Sequence, residues 1–174
     1  MSRRRVIVVD TETSGLLDTD QVVECGWADL HTGEGAAFVP LHSTQWVLDH
    51  GDPYALELNG YRERLQFAPR ADATVVRTLA DALNGAVLAG SNPAFDARHL
   101  PTMFTRYGLA ARWHHRLLDL SAYAAGKLRI DVRELPGLAE VCKRLGVDLP
   151  DHTVKGDVTS TAMCFRALDA LDLG

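Results

Sequence analysis

Val6-Ile7-Val8-Val9-Asp10-Thr11-Glu12-Thr13-Ser14-Gly15-Leu16 is the stretch on which the fold turns. Four β-branched apolar residues in a row predict a strand buried on both faces. Asp10 and Glu12 follow one residue apart, and positions i and i+2 of a strand point to the same side. The two carboxylates therefore project together from a sheet end, with a Ser-Gly turn behind them. Adjacent anions repel, and burial raises that cost, unless a cation sits between them. Oxygen-only ligands suit Mg²⁺ or Mn²⁺ better than zinc, which favours nitrogen and sulfur. Taken alone, Asp-x-Glu is most simply a strand ending in a polar turn, and the rest of the chain has to decide.

With 174 residues, 47% hydrophobic and 24% charged, the chain is expected to form one globular domain over residues 1–174. No apolar run suits a membrane span, and Arg3-Arg4-Arg5 leads into a short strand instead of a leader's apolar segment. Those arginines read as a solvated basic terminus. Cys25, Cys142 and Cys164 are odd in number and far apart, which fits neither a zinc spacing nor a disulfide framework. They read as core in a reducing, cytoplasmic protein. A net charge of −5 argues against non-specific coating of duplex DNA, although the second half of the chain is richer in Lys and Arg than the first.

Working outward, Gln21–Leu30 and Ala36–Val39 predict two further strands in an antiparallel meander with the first. Leu41–Pro53 reads as irregular, broken by Ser43, Asp49, Gly51 and Asp52, with Trp46 as its anchor. A short helical piece over Tyr54–Gly60 stops at Asn-Gly. Asp72 caps a helix over Thr74–Asn84 with Val75, Val76, Leu79 and Leu83 as its apolar stripe. Ala86–Ala89 predicts a short buried strand. A helix opens at Ser91-Asn92-Pro93, and Pro101 should kink or interrupt it. Leu117–Leu120 predicts a strand, Pro136 opens a helix ended by Gly146, and a loop over Val147–Gly156 precedes a last helix with Val158, Ala162, Phe165 and Leu168. That order gives an α/β fold, a mixed five-stranded sheet with strand one central and helices around it.

Two further sites join the first pair. Asp96 lies one turn into the helix after the Ala86–Ala89 strand, where alone it would be an ordinary first-turn acid. His152 and Asp157 stand five apart before the last helix, where Asp157 alone would be a helix cap and His152 a loop histidine. Asp119, at a strand end, reads as structural, and the other histidines lack metal spacing.

Together these motifs resemble the DEDDh 3′–5′ exonucleases of the DnaQ-like superfamily, which includes polymerase proofreading subunits, RNase T and oligoribonuclease. The likeness is carried by Asp10-Thr11-Glu12-Thr13-Ser14-Gly15-Leu16, by Asn92-Pro93-Ala94-Phe95-Asp96 and by His152 through Asp157, in matching order and separation. It runs from about Arg5 to Leu171. Val154, Ser91 and Pro93 depart from residues frequent in the family, and none removes a ligand.

The resemblance implies an RNase H-like sheet and hydrolysis of phosphodiester bonds from a 3′ end, releasing 5′-mononucleotides. It implies two Mg²⁺ ions, replaceable by Mn²⁺, held by Asp10, Glu12, Asp96 and Asp157. His152 would be the general base, since imidazole ordinarily titrates near ~6.5. Thr11, Thr13, Gly15, Leu16, Leu58, Asn59 and Phe95 match positions around the terminal nucleotide; for Leu16, Leu58 and Phe95, core packing is an equal alternative. The expected partner is the 3′ end of single-stranded nucleic acid, with DNA favoured and RNA open, as are monomer and homodimer. A weakly active proofreading or assembly subunit bound to a DNA polymerase is the alternative function. The short tail after the last helix favours an enzyme acting alone.

Overall fold

The computed structural model describes residues 3–171. Five strands form one mixed sheet: β1 (Val6–Thr13), β2 (Val22–Asp29), β3 (Gly35–Phe38), β4 (Val87–Gly90) and β5 (Leu118–Asp119), in the order β3-β2-β1-β4-β5. The β1–β2 and β2–β3 pairs are antiparallel; β4 and β5 run parallel to β1. As its residues dictate, β1 is central.

Alternation along β1 assigns its two faces. Ile7 and Val9 pack with α3 (Ala73–Leu83) and α4 (Pro93–Thr105). Val8 packs with α5 (Leu120–Leu128), α6 (Leu138–Leu145) and α7 (Val154–Ala170). Ile7, Val8 and Val9 are all fully buried, and each such side chain contributes roughly 1.5–3 kcal/mol on leaving water. Asp10 and Glu12 share the parity of Val8, so they point to the face that α7 covers.

A third cluster, with Val23, Val47, Leu56 and Tyr61, gathers the segment between β3 and α3. Here the structure corrects the sequence reading. Leu41–Pro53 is not irregular: it contains α1 (Thr44–His50), capped by the Ser43 side chain accepting from the Trp46 N–H. Val47 is its buried anchor and Trp46 is only half-buried, stacked on His50. The helix escaped notice because one fully buried residue gives no periodic signal. Then follow α2 (Pro53–Leu58), the expected Asn59-Gly60 stop and an unforeseen π-helical turn over Tyr61–Leu65.

Other expectations also move. Val75 lies on the exposed side of α3, and Ala80 and Ala82 complete its buried face. Pro101 does not interrupt α4, which runs on to Thr105; the ring costs one backbone hydrogen bond, and the packing of Leu100, Met103 and Phe104 outweighs it. Thr153, not Asp157, caps α7, which begins at Val154, so Asp157 sits inside the first turn. Arg5 is no free basic terminus but pairs with Asp29 at 2.6 Å. The three cysteines are buried and free, as their apolar surroundings predict. Among the described residues no helix is long and apolar enough to cross a membrane.

Candidate active site

The acids converge where β1 ends. Asp10, Glu12 and Asp157 each place a carboxylate oxygen within 4.8 Å of the other two. Strand spacing delivers the first pair. The third depends on Gly26, which stands directly opposite Asp10 on β2. A Cβ there would lie 2.8 Å from the Val154 carbonyl. The bare backbone thus lets the first turn of α7 rest on the sheet and bring Asp157 to the strand end.

Asp96 arrives from the other face. It is 3% exposed on the first turn of α4 and accepts a 2.8 Å hydrogen bond from the Thr11 hydroxyl. Thr11 has the opposite parity to Asp10, so it reaches toward α4 while its neighbours face α7.

These groups crowd one another. Burial pushes the Asp10 carboxyl well above the ordinary range, and Asp96, Glu12 and Asp157 push it further. Burial, then Asp157 and Glu24, raises Glu12 to about 7, with Arg64 opposing. Burial raises Asp96 as well, against the Thr11 hydrogen bond. Asp157 also rises through burial, partly offset by the Asp151 N–H and the nearby His152. Converging hard oxygen donors with unrelieved repulsion, and no thiolate or imidazole among the three, fit a divalent cation of the magnesium or manganese kind.

His152 lies on the loop before α7, exposed, with φ 58°. The adjoining Asp151 N–H donates to Asp157 Oδ1 at 3.1 Å, and the Asp151 carboxylate accepts from the Thr153 N–H and hydroxyl. The histidine is therefore beside the acids but on a segment of its own.

Beside the acids opens a cleft of about 790 Å³, whose wall includes Thr11, Glu12, Thr13, Leu16, Leu58 and Phe95. Leu16 is 76% exposed and Leu58 43%, so neither is core. Phe95 is half-buried, packed on His99. Gly15 and Asn59 stand behind the wall. A Cβ on Gly15 would meet the Asp20 carboxylate at 2.6 Å, and that carboxylate closes the loop by accepting from the Ser14 hydroxyl and the Leu17 N–H. Asn59 is buried and donates to the Thr13 carbonyl at 3.1 Å. Arg98, from α4, ties the same loop down through the Leu16 carbonyl and Asp18.

Two residues near the acids were missed from sequence. Glu24 on β2 is the direct cross-strand partner of Glu12, and Arg64 in the π-helical turn holds it at 2.6 Å. A lone acid in the apolar run Val22–Trp27 was the available signal.

Comparison with known proteins bears on the family and the fold. The profile of the RNase T family, described as exonuclease, matches residues 7–165. Among solved structures, apo Exonuclease I is 18% identical with a TM-score of 0.67, over 97% of this chain and 44% of that one. E. coli Exonuclease I with a dT13 oligonucleotide is 17% identical with a TM-score of 0.71, over 97% and 41%. The zinc-bound E. coli Exonuclease I–ssDNA complex gives 18% and 0.72, over 97% and 41%. The chain thus spans less than half the length of these structures, and at such identity they speak to the fold alone. No curated protein sequence matches it.

Proposed function

Because this chain belongs to the RNase T family of exonucleases, we propose that it hydrolyses single-stranded nucleic acid from the 3′ end, releasing 5′-mononucleotides. One observation carries the reading: the acid cluster of Asp10, Glu12 and Asp157 opens onto a cleft through Glu12, which belongs to both.

Asp10, Glu12, Asp157 and Asp96 would hold two Mg²⁺ ions, with Mn²⁺ able to substitute. When bound, such ions supply charge neutralisation for the phosphate and its leaving oxygen. The protein's own groups do the rest. Asp10 feels the charge of Asp96, Glu12 and Asp157 alike, so its carboxylate is the one the other acids crowd. Thr11 fixes Asp96 through its hydroxyl, and the Asp151 N–H fixes one oxygen of Asp157.

His152 takes the proton from the attacking water. It is exposed on a loop of its own, so substrate filling the cleft can bring the imidazole into place, a gating step. Leu16, with Leu58 and Phe95, gives the terminal base an apolar wall; such contact is tolerant of base identity. DNA is the favoured substrate, supported by the single-stranded DNA bound in the E. coli structures, and RNA would be distinguished only at the 2′-OH.

The test is a 5′-labelled oligonucleotide, as DNA and as RNA, incubated with protein and Mg²⁺. A ladder shortening from the 3′ end is expected, faster on DNA. No shortening of either strand with metal present would overturn the assignment.

A further inference from the structure

The mechanism above leaves Asp20, Glu24 and Asp29 unused among the buried acids, and of these Glu24 alone keeps an oxygen without a partner. Glu24 is 8% exposed, and its Oε1 accepts from Arg64 Nη1 at 2.6 Å. Its Oε2 is buried with no hydrogen-bond partner. Leaving a buried acceptor unsatisfied costs about 1–3 kcal/mol. A second cost is added by its place. Residues directly opposite in an antiparallel pair lie on the same face, with Cβ atoms roughly 5 Å apart, and like charges there are destabilising. Glu24 stands opposite Glu12, and its charge is felt at Glu12 and Asp10.

A plain structural ion pair explains neither cost, since the free oxygen could have turned to solvent or to a second donor. Arg64 prevents the turn. Its Nη2 donates to the Asn59 carbonyl at 2.9 Å, and Asn59 in turn holds the Thr13 carbonyl at the end of β1. One guanidinium thereby fixes Glu24 and the strand end that carries Glu12 in a single frame.

We propose that Glu24 is a fifth carboxylate of the cation centre, accepting a hydrogen bond from the hydration water of a cation held by Glu12, with Arg64 as the residue that positions it. Magnesium retains several waters, and each needs an acceptor. The charges also balance: five carboxylates, Asp10, Glu12, Glu24, Asp96 and Asp157, face one guanidinium and two divalent cations. The inference rests on reading the acid cluster as a cation centre.

Its test is Mn²⁺ binding by the full chain, followed by electron paramagnetic resonance of the free ion, with folding checked by circular dichroism. Glu24→Gln should bind Mn²⁺ about tenfold or more weakly, the usual cost of losing an outer-shell acceptor. Arg64→Lys keeps the charge but loses the fork; it should also bind Mn²⁺ more weakly, and its cleavage rate should return toward the parent's at high Mg²⁺. Should Glu24→Gln fail to fold, Arg64→Lys carries the same test. Parent-like Mn²⁺ affinity in a folded variant, with only a lowered Tm, would overturn the proposal and leave a structural ion pair. A parent protein that binds no Mn²⁺ would overturn it together with the cation centre. A parent that binds Mn²⁺ yet leaves oligonucleotides intact would remove the exonuclease reading alone, and weaker binding by the variants would still support this one.

Discussion

The two ends of the β1–β2 ribbon each gather acids, and they treat them in opposite ways. At the far end Asp29 is 1% exposed and fully served: Arg5 donates at 2.6 Å, the His31 N–H at 2.7 Å and the Thr32 N–H at 2.9 Å. Burial alone would raise its pKa, but those donors outweigh it and the carboxyl sits below its ordinary value. At the near end Asp10, Glu12 and Asp157 face one another, and all are raised. The lesson is that burial does not mark a functional acid. An acid that has its donors is part of the fold, and one crowded by other acids could hold a cation.

Substitution should separate the ends cleanly. Asp10→Asn should cost roughly a thousandfold or more in cleavage rate, as the proposed cation centre would lose a ligand, while raising the Tm of the metal-free protein by removing repulsion. A parent-like rate would break the contrast. His152→Ala should lower the rate by about 10²–10⁴-fold with Mn²⁺ binding retained; loss of binding as well would make it a ligand instead of a base. Asp29→Asn should do the reverse of Asp10→Asn, destabilising the fold by about 1–3 kcal/mol with the rate unchanged well below the Tm.

The pH dependence sharpens the same comparison. Glu12 is raised from 4.5 to about 7, so between those values the folded state holds more protons than the unfolded one, and stability falls as pH rises through that window. Metal-free protein should therefore lose Tm between about pH 5 and 8, and saturating Mg²⁺ should flatten the slope. Asp29, lowered from 3.8, acts below that window: its contribution is full above the ordinary value and is lost as pH falls further. A flat metal-free profile across pH 5–8 would contradict the crowding of the acids. Gly26→Ala should touch both stability and rate, because the Cβ meets the Val154 carbonyl. It should cost about 1–3 kcal/mol and lower the rate by shifting Asp157.

The near end was readable from sequence because period two is rigid. Val6–Val9 fixed the strand, and Asp-x-Glu then had to share a face. Less regular stretches were opaque for physical reasons. Thr44–His50 buries Val47 alone, so α1 has no stripe to read. Asp157 looks like a cap until Thr153, four residues earlier, is seen to accept from the Gly156 N–H. The Glu12–Glu24 pairing follows from the register of β1 on β2, in which Ile7 faces Asp29, and no local pattern encodes that register. Arg64 comes from a π-helical turn with no sequence signature of its own. Which acids are served by donors and which by one another is a fact of assembly, and the chain in one dimension does not carry it.

Anomalous scattering from crystals soaked in Mn²⁺ reads out whether the acids at the end of β1 hold divalent cations. A manganese peak beside Asp10, Glu12 and Asp157 is expected, and a second beside Asp96 when a single-stranded oligonucleotide is present. A featureless map at that position under saturating Mn²⁺, with the carboxylates ordered, would contradict that expectation.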